Sequence, residues 1–212
     1  MKSFKIISLI VSSLVLILLS SCDKEEGMEH PKENRSSEIT VKMTESSNSA
    51  ILKASPGLSF YDEVNIDILK VSVHYGDTAS SGEWVDLPTN AGIYNLMALQ
   101  NALVVLANGG ELPPGHITQM RLLLGNENTV VIDSVAFDLK TPSAQQSGLK
   151  INLDFHAMPG VFYEILLLFD ANQSIVRLGN GGFLLKPVIR AEVNVLAERQ
   201  HQQELMVIDK EL

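Results

Sequence analysis

Disulfide bonds, basic patches and aromatic side chains are all scarce in this sequence. Cys22 is the only cysteine among 212 residues, so no disulfide can form within the chain and a folded domain must depend on a buried core. Acidic residues outnumber basic ones by 25 to 16, and the net charge is −9. Because contacts to phosphate need clustered lysine and arginine, this balance argues against binding to nucleic acid. Aromatic residues make up 6% of the chain, a modest share for a protein that stacks sugars.

Recognised catalytic motifs are also missing. The sequence contains no Gly-x-Ser-x-Gly elbow, no His-Glu-x-x-His pair, no phosphate-binding glycine loop and no dinucleotide-binding glycine pattern. The five histidines are scattered, and no two have the spacing of metal ligands. We therefore predict no catalytic residue, no metal site and no cofactor, and we expect a protein without enzymatic activity.

Two weaker alternatives for an ion or ligand site stay open. On a strand, Asn152, Asp154 and His156 point the same way, so they form either a site or a solvated face. Residues 62–63 and 126–128 could supply oxygen ligands to calcium. Neither segment has the spacing of a known calcium loop, and acidic or amide residues are common in turns, so a solvated turn is the simpler interpretation.

The first residues have the composition of a secretory signal. Lys2 and Lys5 give a basic start, and residues 6–19 are mostly apolar but too few to span a bilayer comfortably. The Leu-Ser-Ser-Cys sequence at residues 19–22 resembles the lipobox of bacterial lipoproteins, in which the cysteine is acylated and the leader is cut just before it. The resemblance implies that residues 1–21 are a signal peptide and that Cys22 is the lipidation site. Several acyl chains on this residue would then anchor the protein stably in the membrane, which is its expected partner.

A polar tether is predicted over residues 22–37. After the cysteine this segment is charged and nearly without apolar residues, so it cannot bury enough surface to fold by itself. Asp23, Glu25 and Glu26 resemble the acidic export signal that sends lipoproteins to the cell surface in some Gram-negative bacteria. A competing convention takes Asp23 as a signal for retention in the inner membrane. We expect an outer-membrane anchor with the domain facing the cell surface, and the periplasmic face is the alternative.

Alternating apolar and polar residues predict β-strands over residues 38–195. The alternation is clear at residues 151–156 and 189–195, where it has the period of a half-buried strand. Between residues 64 and 75 the apolar positions shift by one at residues 68–69. Such a shift is what a β-bulge produces.

One short helix is predicted at residues 96–106, where good helix formers precede Asn108 and Gly109. Turns rich in glycine and proline separate the other segments at short intervals. We therefore expect an all-β fold: a single antiparallel β-sandwich of transthyretin-like or immunoglobulin-like shape, with this one helix. Residues 196–212 are predicted to be a C-terminal tail.

A series of short motifs runs through the predicted domain. In chain order they are Tyr-Asp-Glu-Val-Asn-Ile at 61–66, Trp-Val-Asp-Leu at 84–87, Gly-Ile-Tyr-Asn-Leu at 92–96, Leu-Pro-Pro-Gly-His-Ile-Thr-Gln-Met-Arg-Leu at 112–122, Pro-Ser-Ala-Gln-Gln-Ser-Gly-Leu-Lys at 142–150 and Leu-Lys-Pro-Val-Ile-Arg at 185–190. Together they resemble the uncharacterised bacterial family known as domain of unknown function 4382, over about residues 39–195. The resemblance implies a secreted, lipid-anchored β-sandwich of transthyretin-like or carbohydrate-binding-like shape, and the family has no established activity. Between residues 44 and 60 a longer segment replaces the short turn of the family pattern.

Polar loops and a few aromatic residues are the candidates for ligand binding. Gln145, Gln146 and Ser147 place two adjacent amides in a predicted turn, and amides can both donate to and accept from sugar hydroxyls. A solvated loop is the simpler interpretation of this turn. Trp84 and Tyr94 are further candidates, although we expect Trp84 to be packed at the edge or in the core of the sandwich.

Two functions of different classes follow from these features. The favoured one is a non-enzymatic surface module that binds a glycan or another extracellular ligand, such as a surface protein. The alternative is a structural or assembly subunit, because lipid-anchored pilus subunits are also β-sandwiches and can exchange strands.

Overall fold

Strands dominate the chain, as the alternation of apolar and polar residues predicts. The computed structural model describes residues 36–46, 61–78, 81–142 and 147–196, without the side chains of residues 77 and 78. The predicted signal peptide, the lipidation site Cys22 and most of the tether lie outside the described residues. Gln145, Gln146 and the tail after residue 196 also lie outside them.

Thirteen strands lie in the described part of the chain. They are β1 (Ser37–Glu45), β2 (Glu63–Thr78), β3 (Ser81–Asp86), β4 (Gly92–Asn95), β5 (Val104–Leu112), β6 (Gly115–Leu124), β7 (Thr129–Ile132), β8 (Val135–Lys140), β9 (Leu149–Ala157), β10 (Phe162–Phe169), β11 (Ile175–Arg177), β12 (Phe183–Leu185) and β13 (Ile189–Leu196). A 3₁₀ turn (Leu96–Leu99) precedes β5, and a single-turn helix, α1 (Ala171–Ser174), follows β10.

The strands form two sheets that share one hydrophobic core, in a roughly sandwich-like arrangement, which confirms the predicted all-β class. The smaller sheet has four strands in the order β13-β10-β1-β5. The larger sheet has nine strands. Seven of them follow the order β11-β12-β8-β7-β2-β6-β9, and β3 and β4 pair with the long strand β2.

The sheets are mixed, whereas a purely antiparallel sandwich is predicted. Strand β1 runs parallel to β10, with Glu38 opposite Phe162, and β12 runs parallel to β8. The other described strand pairs are antiparallel. The prediction is wrong at the two parallel pairs because alternation shows which face of a strand is buried but carries no information about the direction of its partner.

Both sheets contribute to this core. In β1, Ile39, Val41 and Met43 have no exposed surface, and Met120 and Leu122 of β6 belong to the same buried cluster. Full burial of a side chain of this size stabilises the folded state by about 1.5–3 kcal/mol. Such a core supplies the stabilisation that a chain with one cysteine cannot obtain from a disulfide.

The predicted bulge in β2 is confirmed at Leu69. Ile68 and Lys70 pair with adjacent residues of β6, so Leu69 is the extra residue between them. Ile68 is buried on one side of the bulge and Val71 on the other, while the Leu69 side chain is 49% exposed. The bulge therefore keeps the apolar residues of both halves of β2 on the core side.

The predicted helix at residues 96–106 is wrong beyond its first turn. Only Leu96–Leu99 is helical, as a 3₁₀ turn, and Asn95 caps it by accepting a hydrogen bond from the Met97 amide. Residues 100–103 are neither helix nor part of a named strand, and residues 104–106 belong to β5, which pairs with β1. Asn108 and Gly109 do not end a helix; they lie at a register shift within this pair, where Gly109 has a φ of +68°. Pairing with a central strand outweighs local helix propensity here.

The helical content of the described chain is therefore small. Asp170 caps α1, and its side chain accepts a hydrogen bond from the Gln173 amide. Within the described residues no helix has the length and apolar character needed to cross a membrane.

Candidate functional site

Polar and aromatic side chains cover one surface of the larger sheet, across β3, β2, β6 and β9. Val71, Val73, Met120, Leu122 and Ile151 are buried in the core, so their neighbours along each strand point to the opposite side. This surface is named the polar face. Its members are Trp84 and Asp86 of β3, Ser72 and His74 of β2, Thr118, Gln119 and Arg121 of β6, and Lys150 and Asn152 of β9.

Strand register aligns the polar face in two rows. The first row contains Asp86, Ser72, Arg121 and Lys150, and the second contains Trp84, His74, Gln119 and Asn152. Neighbouring strands in a sheet lie about 4.8 Å apart, so each side chain is within contact distance of its immediate neighbours in the row. The sheet therefore collects on one surface residues that come from four separate parts of the sequence.

Trp84 lies on the polar face, and its side chain is half-buried. The guanidinium carbon of Arg121 is 4.4 Å from the centroid of its ring, which is the geometry of a cation–π contact. The His74 ring packs edge-on against it, with 5.1 Å between the two centroids. Trp84 is not part of the core cluster, and its ring packs against Arg121 and His74 on the outer surface of the sheet.

Arg121 has few protein partners for its charge. Its Nη2 donates to the Ser72 hydroxyl over a long 3.4 Å, and its Nε is buried with no hydrogen-bond acceptor. No carboxylate of the described residues lies within 4.0 Å of its nitrogen atoms. A guanidinium carries five N–H donors, so most of them have no protein acceptor in the described part of the chain.

Asp86, the carboxylate in the same row as Arg121, is hydrogen-bonded to other groups. Asp86 accepts from the Lys70 ammonium at 2.6 Å and from the Ser72 hydroxyl at 2.7 Å. The hydrogen bond from Lys70, followed by the one from Ser72, holds the pKa of Asp86 below its ordinary value. The charge of Arg121 also lowers this pKa, as a smaller contribution.

Two amides lie in the second row, separated from Trp84 by His74. Gln119 Nε2 donates to Asn152 Oδ1 at 3.3 Å on the exposed surface. This contact leaves the Gln119 carbonyl oxygen and the Asn152 amino group facing solvent, one as an acceptor and the other as a donor. Both are available to a polar ligand.

A pair of histidines extends the polar face toward the end of β9. The rings of His116 and His156 stack with centroids 5.1 Å apart and planes 9° from parallel. Asp154 accepts from His116 Nε2 at 2.8 Å. Sequence spacing does not reveal this pair, because it forms across two strands. The described residues contain no group of three or more His, Cys, Asp or Glu side chains that could hold a metal ion.

The C-terminal end of the predicted polar loop, residues 147–148, lies next to the polar face. Gln145 and Gln146 lie outside the described residues, while Ser147 is exposed and Gly148 packs against Arg121. A Cβ atom on Gly148 would lie 2.3 Å from Arg121 Cγ. Trp84 and the end of this loop, which the sequence suggests as separate candidates, therefore both contact Arg121.

Tyr94 does not belong to the polar face. It pairs with Ile66 of β2 and packs against the core, whereas Trp84 pairs with His74. At a rise of about 3.3 Å per strand residue, these two positions on β2 are roughly 25 Å apart. The Tyr94 hydroxyl donates to the Asn90 carbonyl oxygen, and burial raises the pKa of Tyr94. Its ring is half-buried against the core cluster.

The segments considered as calcium sites brace turns. Asp62 accepts a hydrogen bond from the Ser134 amide, in the hairpin turn that joins β7 to β8. Asn128 is only 2% exposed; its Oδ1 accepts from the Asp67 amide and its Nδ2 donates to the Gly125 carbonyl oxygen. These contacts use both ends of the Asn128 side chain.

The chain can also be compared with known proteins. No curated protein matches it, and no solved structure does. Residues 26–187 match the family described as "Domain of unknown function (DUF4382)", and this region includes every residue of the polar face. Since the match spans well over half of the chain, the protein belongs to this family, as the order of its sequence motifs predicts.

Proposed function

We propose that the protein is a non-enzymatic module, held on the cell surface by lipid on Cys22, that binds glycan through the polar face. The observation that supports this proposal most is that the half-buried Trp84 ring lies in the same row of the polar face as the amide pair of Gln119 and Asn152. An indole ring offers an apolar face and an N–H group, and side-chain amides offer donors and acceptors together.

The exposed part of the polar face lies toward β9, where Lys150 and Asn152 are exposed, whereas Ser72 and His74 of β2 are buried. Strand β3 lies at one side of this surface and β9 is the terminal strand at the other. Side chains on a sheet are held by the backbone register, so the amides and the indole keep fixed spacings without the ordering cost of a mobile loop. Such a surface can contact a glycan chain through its exposed and half-buried side chains.

The proposed location rests on the leader sequence. The lipobox-like residues 19–22 supply the acylation site, and the charged tether separates the domain from the bilayer. Asp23, Glu25 and Glu26 favour the outer face of the outer membrane. Labelling of intact cells with a membrane-impermeant reagent tests this: labelled protein is expected, and protein labelled only after the outer membrane is broken would indicate the periplasmic face.

A glycan array probed with the full-length protein in detergent tests the binding proposal. We expect specific binding by the natural protein and a loss of about 5- to 150-fold in the double variant Gln119→Ala and Asn152→Ala, because two hydrogen bonds contribute about 1–3 kcal/mol. The matched control is Asn194→Ala, an exposed amide on β13 of the other sheet. Failure to bind any glycan, or equal binding by the double variant, would reject the proposal.

The assembly function remains a second candidate because of the position of β1. This strand is the first in the described chain, yet it lies inside the smaller sheet, between β10 and β5. Exchange of β1 between copies would preserve the burial of Ile39, Val41 and Met43. Under this alternative, concentrated protein forms multimers that disappear when β1 is deleted, and glycans have no effect on them.

A further inference from the structure

We propose that the glycan carries a carboxylate, as in uronic or sialic acid residues, and that Arg121 binds it. This inference rests on the proposed function, and it narrows the ligand from glycans in general to acidic glycans. The observation behind it is a cation with almost no acceptor among the described residues, on a face that also carries an indole ring and two side-chain amides.

Most N–H donors of Arg121 have no acceptor within the described residues. The guanidinium makes one long contact, 3.4 Å to Ser72 Oγ, and Nη1 has no hydrogen-bond partner within the described residues. The Ser72 hydroxyl gives its own proton to Asp86, so it can only accept from Arg121. Nη1 and Nη2 together form a planar fork that matches the two oxygens of a carboxylate. The fork lacks such a partner in the described chain.

The local charge around Arg121 is positive, because Lys150 is its neighbour on β9. Asp86 is the acidic side chain in the same row, and Lys70 holds it at 2.6 Å on the far side of Ser72. On the other side of Arg121 the register partner is Lys150, which is exposed. Arg121 and Lys150 thus form a positive spot on a chain whose net charge is −9. Neither cation has a carboxylate partner among the described residues, and two adjacent cations of this kind produce a local potential suited to an anion.

The Arg121 side chain is also held in place by its neighbours. Trp84 stacks on its guanidinium group at 4.4 Å, and the backbone of Gly148 packs against its aliphatic stem. A side chain held on both sides loses little rotamer freedom when it binds a ligand, so more of the interaction energy appears as affinity. The sugar ring of the bound residue would then lie over β6 and β9, with its ring hydroxyls near Gln119 and Asn152.

Matched pairs of probes test this directly with full-length protein in detergent. The pairs are oligogalacturonate against its methyl ester, hyaluronan oligosaccharide against its carboxyl-reduced form, and sialyllactose against lactose. We expect at least one acidic member to bind about 10- to 100-fold more tightly than its neutral counterpart, which is the contribution of a charge-assisted pair. The preference should weaken as salt concentration rises.

The variant Arg121→Gln should lose this preference and still bind the neutral probe. Arg121→Lys keeps the charge but not the fork, so it should retain only part of the preference. The matched control is Arg190→Gln, a 73% exposed side chain on β13, which should bind like the natural protein. Equal thermal midpoints for the three variants would show that they are folded.

The outcomes separate the inference from the proposed function. If glycans bind with no preference for the acidic members, or if the preference survives in Arg121→Gln, the inference is wrong and the proposed function stands. If no glycan of any kind binds, both are wrong.

Discussion

Gly148 lies directly against the side chain of Arg121. A Cβ atom at position 148 would be 2.3 Å from Arg121 Cγ and 2.8 Å from Cδ, and Gly148 has a φ of +77°. Only glycine adopts this backbone conformation without strain and also leaves room for the arginine stem. The end of the polar loop therefore determines how closely Arg121 approaches the sheet.

Gly148→Ala is expected to destabilise the protein by about 1–2 kcal/mol, since alanine is strained at positive φ and its methyl group collides with Arg121. Urea unfolding measures the loss, and Trp84 emission should change because its stacked cation moves. Gly179→Ala is the matched control, because a Cβ there has no atom within 4 Å. Equal stability of the two variants would contradict the packing described for Gly148.

Trp84→Ala is expected to cost about 1–2 kcal/mol, because a half-buried ring loses part of its burial and one cation–π contact. Phe169→Ala provides the comparison: Phe169 is 1% exposed, and removal of a core aromatic costs about 3–5 kcal/mol. Chemical denaturation measures both values. A Trp84 variant as unstable as the Phe169 variant would show that the indole belongs to the core.

The lowered pKa of Asp86 predicts how the stability of the folded protein changes with pH. Its folded pKa is below its unfolded value, so it contributes stability above about pH 4, and the contribution is lost as the pH falls through the folded pKa. The side chain is 50% exposed, so solvent screening limits the effect to well under about 1 kcal/mol. Asp86→Asn should therefore be slightly less stable than the natural protein at pH 6 and equally stable near pH 2. A difference that grows in acid would reverse the sign and refute this assignment.

Cys22→Ala should prevent incorporation of labelled fatty acid and leave a larger, unprocessed precursor. The reason is that the proposed lipobox offers no second thiol, since Cys22 is the only cysteine. Metabolic labelling and the mass of the product measure both effects. Normal maturation of the variant would show that the protein is not a lipoprotein.

Chelators are expected to leave the thermal midpoint of the protein unchanged. An ion that binds only the native state would raise stability in proportion to its occupancy, so its removal would lower the midpoint. Differential scanning fluorimetry with and without chelator is sufficient. A fall of several degrees that calcium reverses would identify a metal site and contradict the prediction.

The outcomes at β2 and β5 show how far sequence patterns reach. The shift of apolar positions at Ile68 and Leu69 predicts a bulge, and the bulge is there, because alternation directly records which side of a strand is buried. Residues 104–106 have a helical pattern, yet they form β5 because pairing with β1 buries Leu106. The secondary structure of such a segment depends on pairing with a distant strand, and the local sequence pattern carries no information about that pairing.

The candidate site divides in the same way. Trp84 is a candidate from sequence because it is the only tryptophan, and the loop of Gln145 and Gln146 is one because of its amides. Arg121 is missed, although it lies within one of the family motifs, because an arginine alternating with apolar residues has the pattern of a solvated face. Its significance depends on Trp84, Ser72 and Gly148, which come from different parts of the chain.

The sequence by itself determined the all-β class, the family and the acidic, disulfide-free character of the protein, because composition, alternation and motif order are local properties. Only the tertiary structure decided that β1 runs parallel to β10 and that Trp84 and Arg121 stack on the outer surface of a sheet. Strand order and register bring these residues together. Both depend on which distant segments bury each other's apolar faces, and that is a property of the whole chain.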